Sequence, residues 1–338
     1  MHYDVAPNRS KISRRTILAV AAAGAASIVP RPAFAQQSCL LGPPQHKKGQ
    51  SVFLDYDQVE LDAAYDQRFY APLLGQILKR FASNSNAARA RIGEPRSESY
   101  GPTDVERLDI YRTKRSKAPI LVFLHGGAWL PRDAAKNYGF AAELFTNAGA
   151  HFVAPEFISV DKAGGDIQVM ADQIRRAIAW THKNAASFDG DPDKLFIGGH
   201  SSGGHLCGVA LVTDWKKDFG LPADAVKGGI CMSGMYDLKA VRLSTRSSYV
   251  KFTDDMEQAM SSQRHLDLLR APIVVTFGTN ETPEFQRQSR DFAAAVRAAG
   301  KSAQLIEAAN YNHFEMAESL GNPYGPNGRA ALTLMKLA

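Results

Sequence analysis

Only three of the 338 residues are cysteine, Cys39, Cys207 and Cys231. Cys207 and Cys231 lie inside apolar stretches and Cys39 in a Gly- and Pro-rich start, so a disulfide-stapled scaffold is excluded and no structural disulfide is expected. No apolar run reaches the ~20 residues that cross a bilayer. Repeats, blocks of like charge, G-x-G-x-x-G and a P-loop lysine are all missing, which removes solenoids and the common phosphate-binding turns. His200 and His205 are five apart rather than four, and no Cys or carboxylate set completes a ligand group, so neither metal nor cofactor is expected. The charge of +6 carries little information: the first 35 residues hold five basic groups and one acid, and without them 35 basic groups face 33 acidic ones. No nucleic-acid or membrane-surface partner is implied. What is present, 45% hydrophobic and 22% charged, suffices to bury a large core.

The first 35 residues read as an address. Ser13-Arg14-Arg15-Thr16-Ile17-Leu18 matches the twin-arginine pattern, the apolar run Ile17 to Val29 is 13 residues long, and Ala33-Phe34-Ala35 offers a small-x-small cleavage site. Export by the twin-arginine machinery to the periplasm or beyond, with cleavage after Ala35, is the expectation.

Residues 36–50 read as a linker, with His46-Lys47-Lys48 a solvated stretch. Residues 51–338 read as one α/β domain. Its first part, 51–100, is a helical appendage: Asp57 and Glu60 have capping-box spacing ahead of Leu61, Ala64, Tyr65 and Phe69, and a second helix is expected around Leu73 to Phe81. Five apolar runs then appear, at 120–124, 151–154, 195–197, 229–232 and 273–277, with a sixth strand expected over 303–306. Continuous apolarity marks strands buried on both faces, hence a mostly parallel sheet. Ile167, Met170, Ile174 and Ile178 recur at helical spacing between two of them, as a helix covering one face requires. Leu108 and Ile110 alternate with polar neighbours, which suggests an antiparallel edge strand. Residues 238–270 read as a lid-like insert.

Strand 195–197 runs into Gly199-His200-Ser201-Ser202-Gly203-Gly204 and then into a helical stretch, the context of a nucleophile elbow. The tight turn needs glycine two positions to either side of the nucleophile, which selects Ser201. His125-Gly126-Gly127 follows strand 120–124, and the amides of Gly126, Gly127 and Ser202 are the expected oxyanion hole. In the order serine, acid, histidine, the base is expected at His313, in a polar loop after the last strand; His265 precedes the acid. The acid should follow strand 273–277, where Glu281 is preferred to Glu284, which complements a helix dipole. Asp237 is the reserve, more simply a turn or cap residue. His205 reads as a packed core residue, and Trp129 and Tyr236 as substrate-pocket candidates.

With these residues placed, the chain resembles the kynurenine formamidase-like branch of the α/β-hydrolases, near the hormone-sensitive-lipase-like esterases. Leu61-Asp62-Ala63-Ala64-Tyr65-Asp66-Gln67-Arg68, Ser99-Tyr100-Gly101 and Leu108-Asp109-Ile110-Tyr111 share in the likeness, while Ala128 interrupts the three-glycine run of the lipase-like group. The resemblance implies an α/β-hydrolase fold, Ser201 as nucleophile, Glu281 as acid and His313 as base. The expected activity is hydrolysis of small carboxylic esters or aryl amides through an acyl-enzyme, with N-formylkynurenine hydrolysis as the alternative. A catalytically silent binding module of the same fold is the second alternative.

Overall fold

The computed structural model describes residues 42–131 and 134–338, so the expected leader, the cleavage site expected after Ala35, and Cys39 lie outside the described residues. The apolar runs all become strands of one eight-stranded sheet: β1 Arg96–Ser99, β2 Arg107–Tyr111, β3 Ala118–Leu124, β4 His151–Pro155, β5 Gly190–His200, β6 Gly228–Met232, β7 Ile273–Asn280 and β8 Ala303–Asn312. Their order is β8-β7-β6-β5-β3-β4-β2-β1, with β3 to β8 parallel and β2 antiparallel to β4. This is the mostly parallel sheet expected of an α/β-hydrolase.

Side chains alternate across the sheet, and both faces are covered. Ile120, Val122 and Leu124 of β3 join Met170, Ile174, Leu206, Val209, Phe292 and Val296 on one face. Leu121 and Phe123 point the other way, to Ile77, Phe81, Phe145, Ala331 and Leu332. The covering helices are Ile167–Asn184, Ser202–Leu211 and Pro283–Ala298 on the first face, and Leu74–Ile92, Gly139–Asn147 and Pro326–Leu334 on the second.

Strand β2 is not the edge as expected: β1, with sequence Arg-Ser-Glu-Ser, pairs outside it in antiparallel register. A four-residue strand without an apolar position carries no periodic signal, and its charges suit an unpaired edge. The helix after Asp57 spans Gln58–Ala64 with both halves of the capping box formed, but it stops before Phe69, which sits in a 3₁₀ turn, Gln67–Tyr70. The next helix runs well beyond Phe81, to Ile92. Its second half buries only Ser85 and Ala88, small residues that a hydrophobic period does not reveal. Ser85 Oγ donates to Asn137 O and accepts from Phe140 N, tying that helix to Gly139–Asn147.

The expected linker is also more structured than its composition suggests. Ser51–Phe53 and Tyr56–Asp57 form a small hairpin, and Asp57 accepts from His46 at 2.8 Å and from the Gly49 amide at 2.6 Å. Lys48 pairs with Glu60. His46, Asp57 and Glu60 thus converge, but protein donors already occupy the two carboxylates.

The order of strands reverses at β3, which lies between β5 and β4. Loops leaving the carboxyl ends of β3 and β5 therefore diverge around a crevice, the place where such sheets bind ligands. Leu124 and Gly199 are register partners, so the Gly126-Gly127 loop and the Ser201 turn emerge side by side.

Candidate active site

Ser201 sits between β5 and helix Ser202–Leu211 with φ 58° and ψ −122°, a combination that L-residues rarely adopt. Its amide donates to Met232 O at 2.9 Å, which pins the turn to β6. A Cβ on Gly199 would overlap the carbonyl of Gly203, and one on Gly203 would overlap the carbonyls of Leu124 and His125. Only glycine at both positions lets strand, helix and the β3 loop approach this closely.

His313 begins the helix His313–Glu318 after β8, with Asn312 capping it. Its Nε2 lies 2.9 Å from Ser201 Oγ and its Nδ1 lies 2.7 Å from Glu281 Oε2. With a proton on Nδ1 directed at the carboxylate, Nε2 presents a lone pair to the serine hydroxyl. Glu281 is fully buried, and its other oxygen accepts from Ser233 Oγ at 2.6 Å and from the Gly278 amide at 2.7 Å. A hydroxyl, imidazole and carboxylate in this chain can move the hydroxyl proton onto the imidazole while a carbonyl is attacked.

His200, beside the serine, donates from Nε2 to His313 O at 2.8 Å, and the two rings lie 4.5 Å apart. Burial, and next the neighbouring imidazole of His313, hold its pKa well below the ordinary histidine value. It is therefore neutral at pH 7, with its buried Nδ1 left without a partner. Sequence reading weighed it only as a metal ligand, because it occupies the variable position of the Gly-x-Ser-x-Gly turn.

A cavity of about 450 Å³ opens over Ser201. Tyr65, Phe81, Tyr138, Tyr249, Phe285 and Phe314 supply its rings. Gly127 and Ala128 line it, with φ 116° and 60°. Among the described residues no protein acceptor takes the amides of Gly127, Ala128 or Ser202. Gly126 instead packs into the turn, where a Cβ would sit 3.0 Å from His200 O and 3.2 Å from Ser201 Cβ, and it does not line this cavity. The loop is braced from behind: His125 Nδ1 donates to Gly126 O at 2.8 Å, and its Nε2 meets Glu156 at 3.0 Å.

Trp129 and Tyr236 are corrected from pocket to core. Trp129 is 2% exposed and donates to His205 Nδ1 at 3.3 Å. Tyr236 is fully buried, stacked on Phe292 at 4.1 Å. Both follow site elements in sequence, yet their side chains point back into the layer of helices. His205 itself donates to Met260 O at 3.0 Å, and burial lowers its pKa to about 4. Asp237 pairs with Arg264 at 2.7 Å and caps Lys239 N, and Glu284 is taken by Arg287 and Tyr65. His265 meets Gln258 O at 2.7 Å. Cys207 and Cys231 are buried free thiols 3.9 Å apart.

Two distant segments complete the site. Gln67 exchanges hydrogen bonds with Thr282, Nε2 to Oγ1 at 3.2 Å and Thr282 N to Oε1 at 3.1 Å, which fixes the loop of Glu281. Thr245, Arg246, Ser248 and Tyr249, within the 238–270 stretch, also wall the cavity, and Arg246 reaches across to Tyr65 O. The first segment shared in the family likeness and the second read as a lid-like insert, but the spacing of their residues did not single out these side chains.

The family model described as BD-FAE matches residues 108–228. A kynurenine formamidase of Danio rerio is 30% identical over 276 residues, covering 77% of this chain and 90% of that protein. The kynurenine formamidase of Salmo salar is 30% identical over 229 residues, or 65% and 75% of the two chains. Among solved structures, a thioesterase candidate from Silicibacter sp. matches with a TM-score of 0.70 at 22% identity, covering 82% of this chain and 99% of that one.

Proposed function

Since the chain belongs to the kynurenine formamidase-like branch of the α/β-hydrolases, we infer that it is a serine hydrolase of small carboxylic esters or aryl amides, working through an acyl-enzyme. Ser201 Oγ attacks the carbonyl carbon while His313 Nε2 takes its proton. Glu281 fixes the imidazole and stabilises the cation that forms. The amides of Gly127, Ala128 and Ser202 receive the oxyanion. Collapse breaks the bond to the alcohol or amine, which leaves with the proton from His313; water then repeats the sequence on the acyl-enzyme and returns free Ser201 and the acid.

The observation that carries this reading is the unbroken contact from Glu281 through His313 to Ser201 beneath an aromatic cavity of about 450 Å³. Such a volume suits a planar ring with a short acyl group and leaves little room for a long chain. A second reading, hydrolysis of N-formylkynurenine, is favoured by the 30% identity to the Danio rerio enzyme. Export is part of the proposal and rests on the twin-arginine leader alone.

The test is a panel on the purified mature protein: short aryl esters, long acyl esters, formyl anilides, carbamates and N-formylkynurenine, with organophosphonate labelling of Ser201. kcat/KM should peak at short acyl groups. A preference for long chains overturns the ester reading, and N-formylkynurenine far above all else establishes the second. Absence of labelling would mean a silent module. Fractionation of the source cells checks export.

A further inference from the structure

The cavity wall holds one guanidinium that forms no ion pair of its own, although its charge reaches the carboxylate of Asp66 through space. Arg246 lines the cavity together with Ser201 and His313. Its Nη2 donates to Tyr65 O at 2.8 Å and its Nη1 to Tyr249 Oη, so both partners are neutral. Its Nε is buried without a partner, and among the described residues it has no carboxylate oxygen within ion-pair distance. Two of its five N–H donors are thus used in holding the side chain still. The other charges of the cavity are Asp66 and Arg68, and these cancel each other: Arg68 Nε reaches Asp66 Oδ1 at 2.8 Å, from a side chain 76% exposed. His200 is neutral. The arginines and the aspartate that line the cavity, Arg68, Arg246 and Asp66, therefore sum to a single positive charge, and Arg246 is the cation held rigidly in the wall.

A clamped, half-buried guanidinium beside aromatic rings, with N–H donors left over, is the arrangement that recognises a planar carboxylate. We propose that Arg246 is a specificity-determining residue that binds a carboxylate carried by the substrate, so that the preferred substrates are anionic aryl esters or amides. This rests on the hydrolase reading for the word substrate, but carboxylate binding itself does not require turnover.

The experiment measures binding of benzoate and of its neutral isostere benzamide to the full mature chain, wild type, Arg246→Gln and Arg246→Lys, by calorimetry or tyrosine fluorescence. Phenyl acetate and 3-acetoxybenzoate are then compared as substrates. Benzoate should bind the wild type about tenfold more tightly than benzamide, the size of a charge-assisted hydrogen bond. Arg246→Gln should erase that difference while benzamide binding stays unchanged, and Arg246→Lys should restore part of it. In turnover, the glutamine variant should raise KM for 3-acetoxybenzoate about tenfold more than it raises KM for phenyl acetate. Equal binding of benzoate and benzamide to the wild type overturns the proposal, as does equal weakening of both in the glutamine variant, which is the mark of a collapsed wall. If benzoate binds through Arg246 but Ser201 is neither labelled nor active, the carboxylate site stands and the hydrolase reading falls.

Discussion

Gly203 holds its carbonyl oxygen so close to the Cα of Gly199 that no side chain fits at Gly199. The contact lies directly behind Ser201, and it is what lets the serine occupy its left-handed backbone conformation. Gly199→Ala should therefore cost at least about 2 kcal/mol of stability, as an overpacked site with no room to relax. Gly75, in helix Leu74–Ile92 with nothing within 4 Å of a Cβ, is the control. Gly75→Ala should be neutral or raise Tm, by up to about 1 kcal/mol equivalent. Denaturant melts of the two variants check the contrast; similar stabilities would deny the turn its tightness.

Ser201→Ala should lower kcat/KM by at least about 10³-fold with Tm unchanged. Ser202→Ala should keep most activity, since that residue offers its amide and not its hydroxyl. If the second variant were the inactive one, the nucleophile would be Ser202.

Glu281→Gln should cost about 10³-fold or more in kcat, because an amide cannot hold His313 in the same tautomer or stabilise its cation. Asp237→Asn should change kcat little and instead weaken the pair with Arg264. Steady-state kinetics on both variants decide between the carboxylates, and the reverse ranking would move the acid to Asp237.

Stability should fall in mild acid because buried histidines resist protonation, His200 and His205 foremost and His151 with them. His205 titrates at about 4 and His200 also well below the ordinary value, both chiefly through burial. In the unfolded chain they protonate near about 6.5. Between those limits the unfolded state binds more protons, so ΔG of unfolding declines as the pH drops from about 6.5 toward 4. Tm measured from pH 7.5 to 4.5 should show this fall, with a shallower slope in His205→Gln even though that variant starts lower. An unchanged slope would assign the acid sensitivity elsewhere.

The sheet was legible because each parallel strand is buried on both faces and so must be apolar throughout, as in Ile120-Leu121-Val122-Phe123-Leu124. The polar edge strand Arg96–Ser99 obeys no such constraint and left no trace. Ser201, Glu281 and His313 were legible for a related reason: each lies just past the carboxyl end of a strand, where chain order and residue type together narrow the choice. The expected oxyanion loop meets the cavity one residue later than its glycines suggested. Glycine drew attention to Gly126, yet the chain turns so that Gly127 and Ala128 line the cavity, and Ala128 adopts φ 60° despite its methyl group. Pocket rings were read from proximity in sequence, and Trp129 and Tyr236 show why that fails: neighbours in the chain alternate between cavity and core. Tyr65, Arg246 and Tyr249 reach the site through the packing of whole segments, which no local pattern records.

The exchange between Gln67 and Thr282 spans 215 positions. Among all the contacts around the reacting groups it closes one of the longest loops, and long loops are the last to be won against chain entropy. The strands and the elbow can assemble from nearer partners, whereas the loop bearing Glu281 should be fixed only once the amino-terminal segment has docked. Competence is then expected to come late in the life of the chain: during refolding the sheet should form before the acid is held firm, because that last hold needs the first helices to meet the last third.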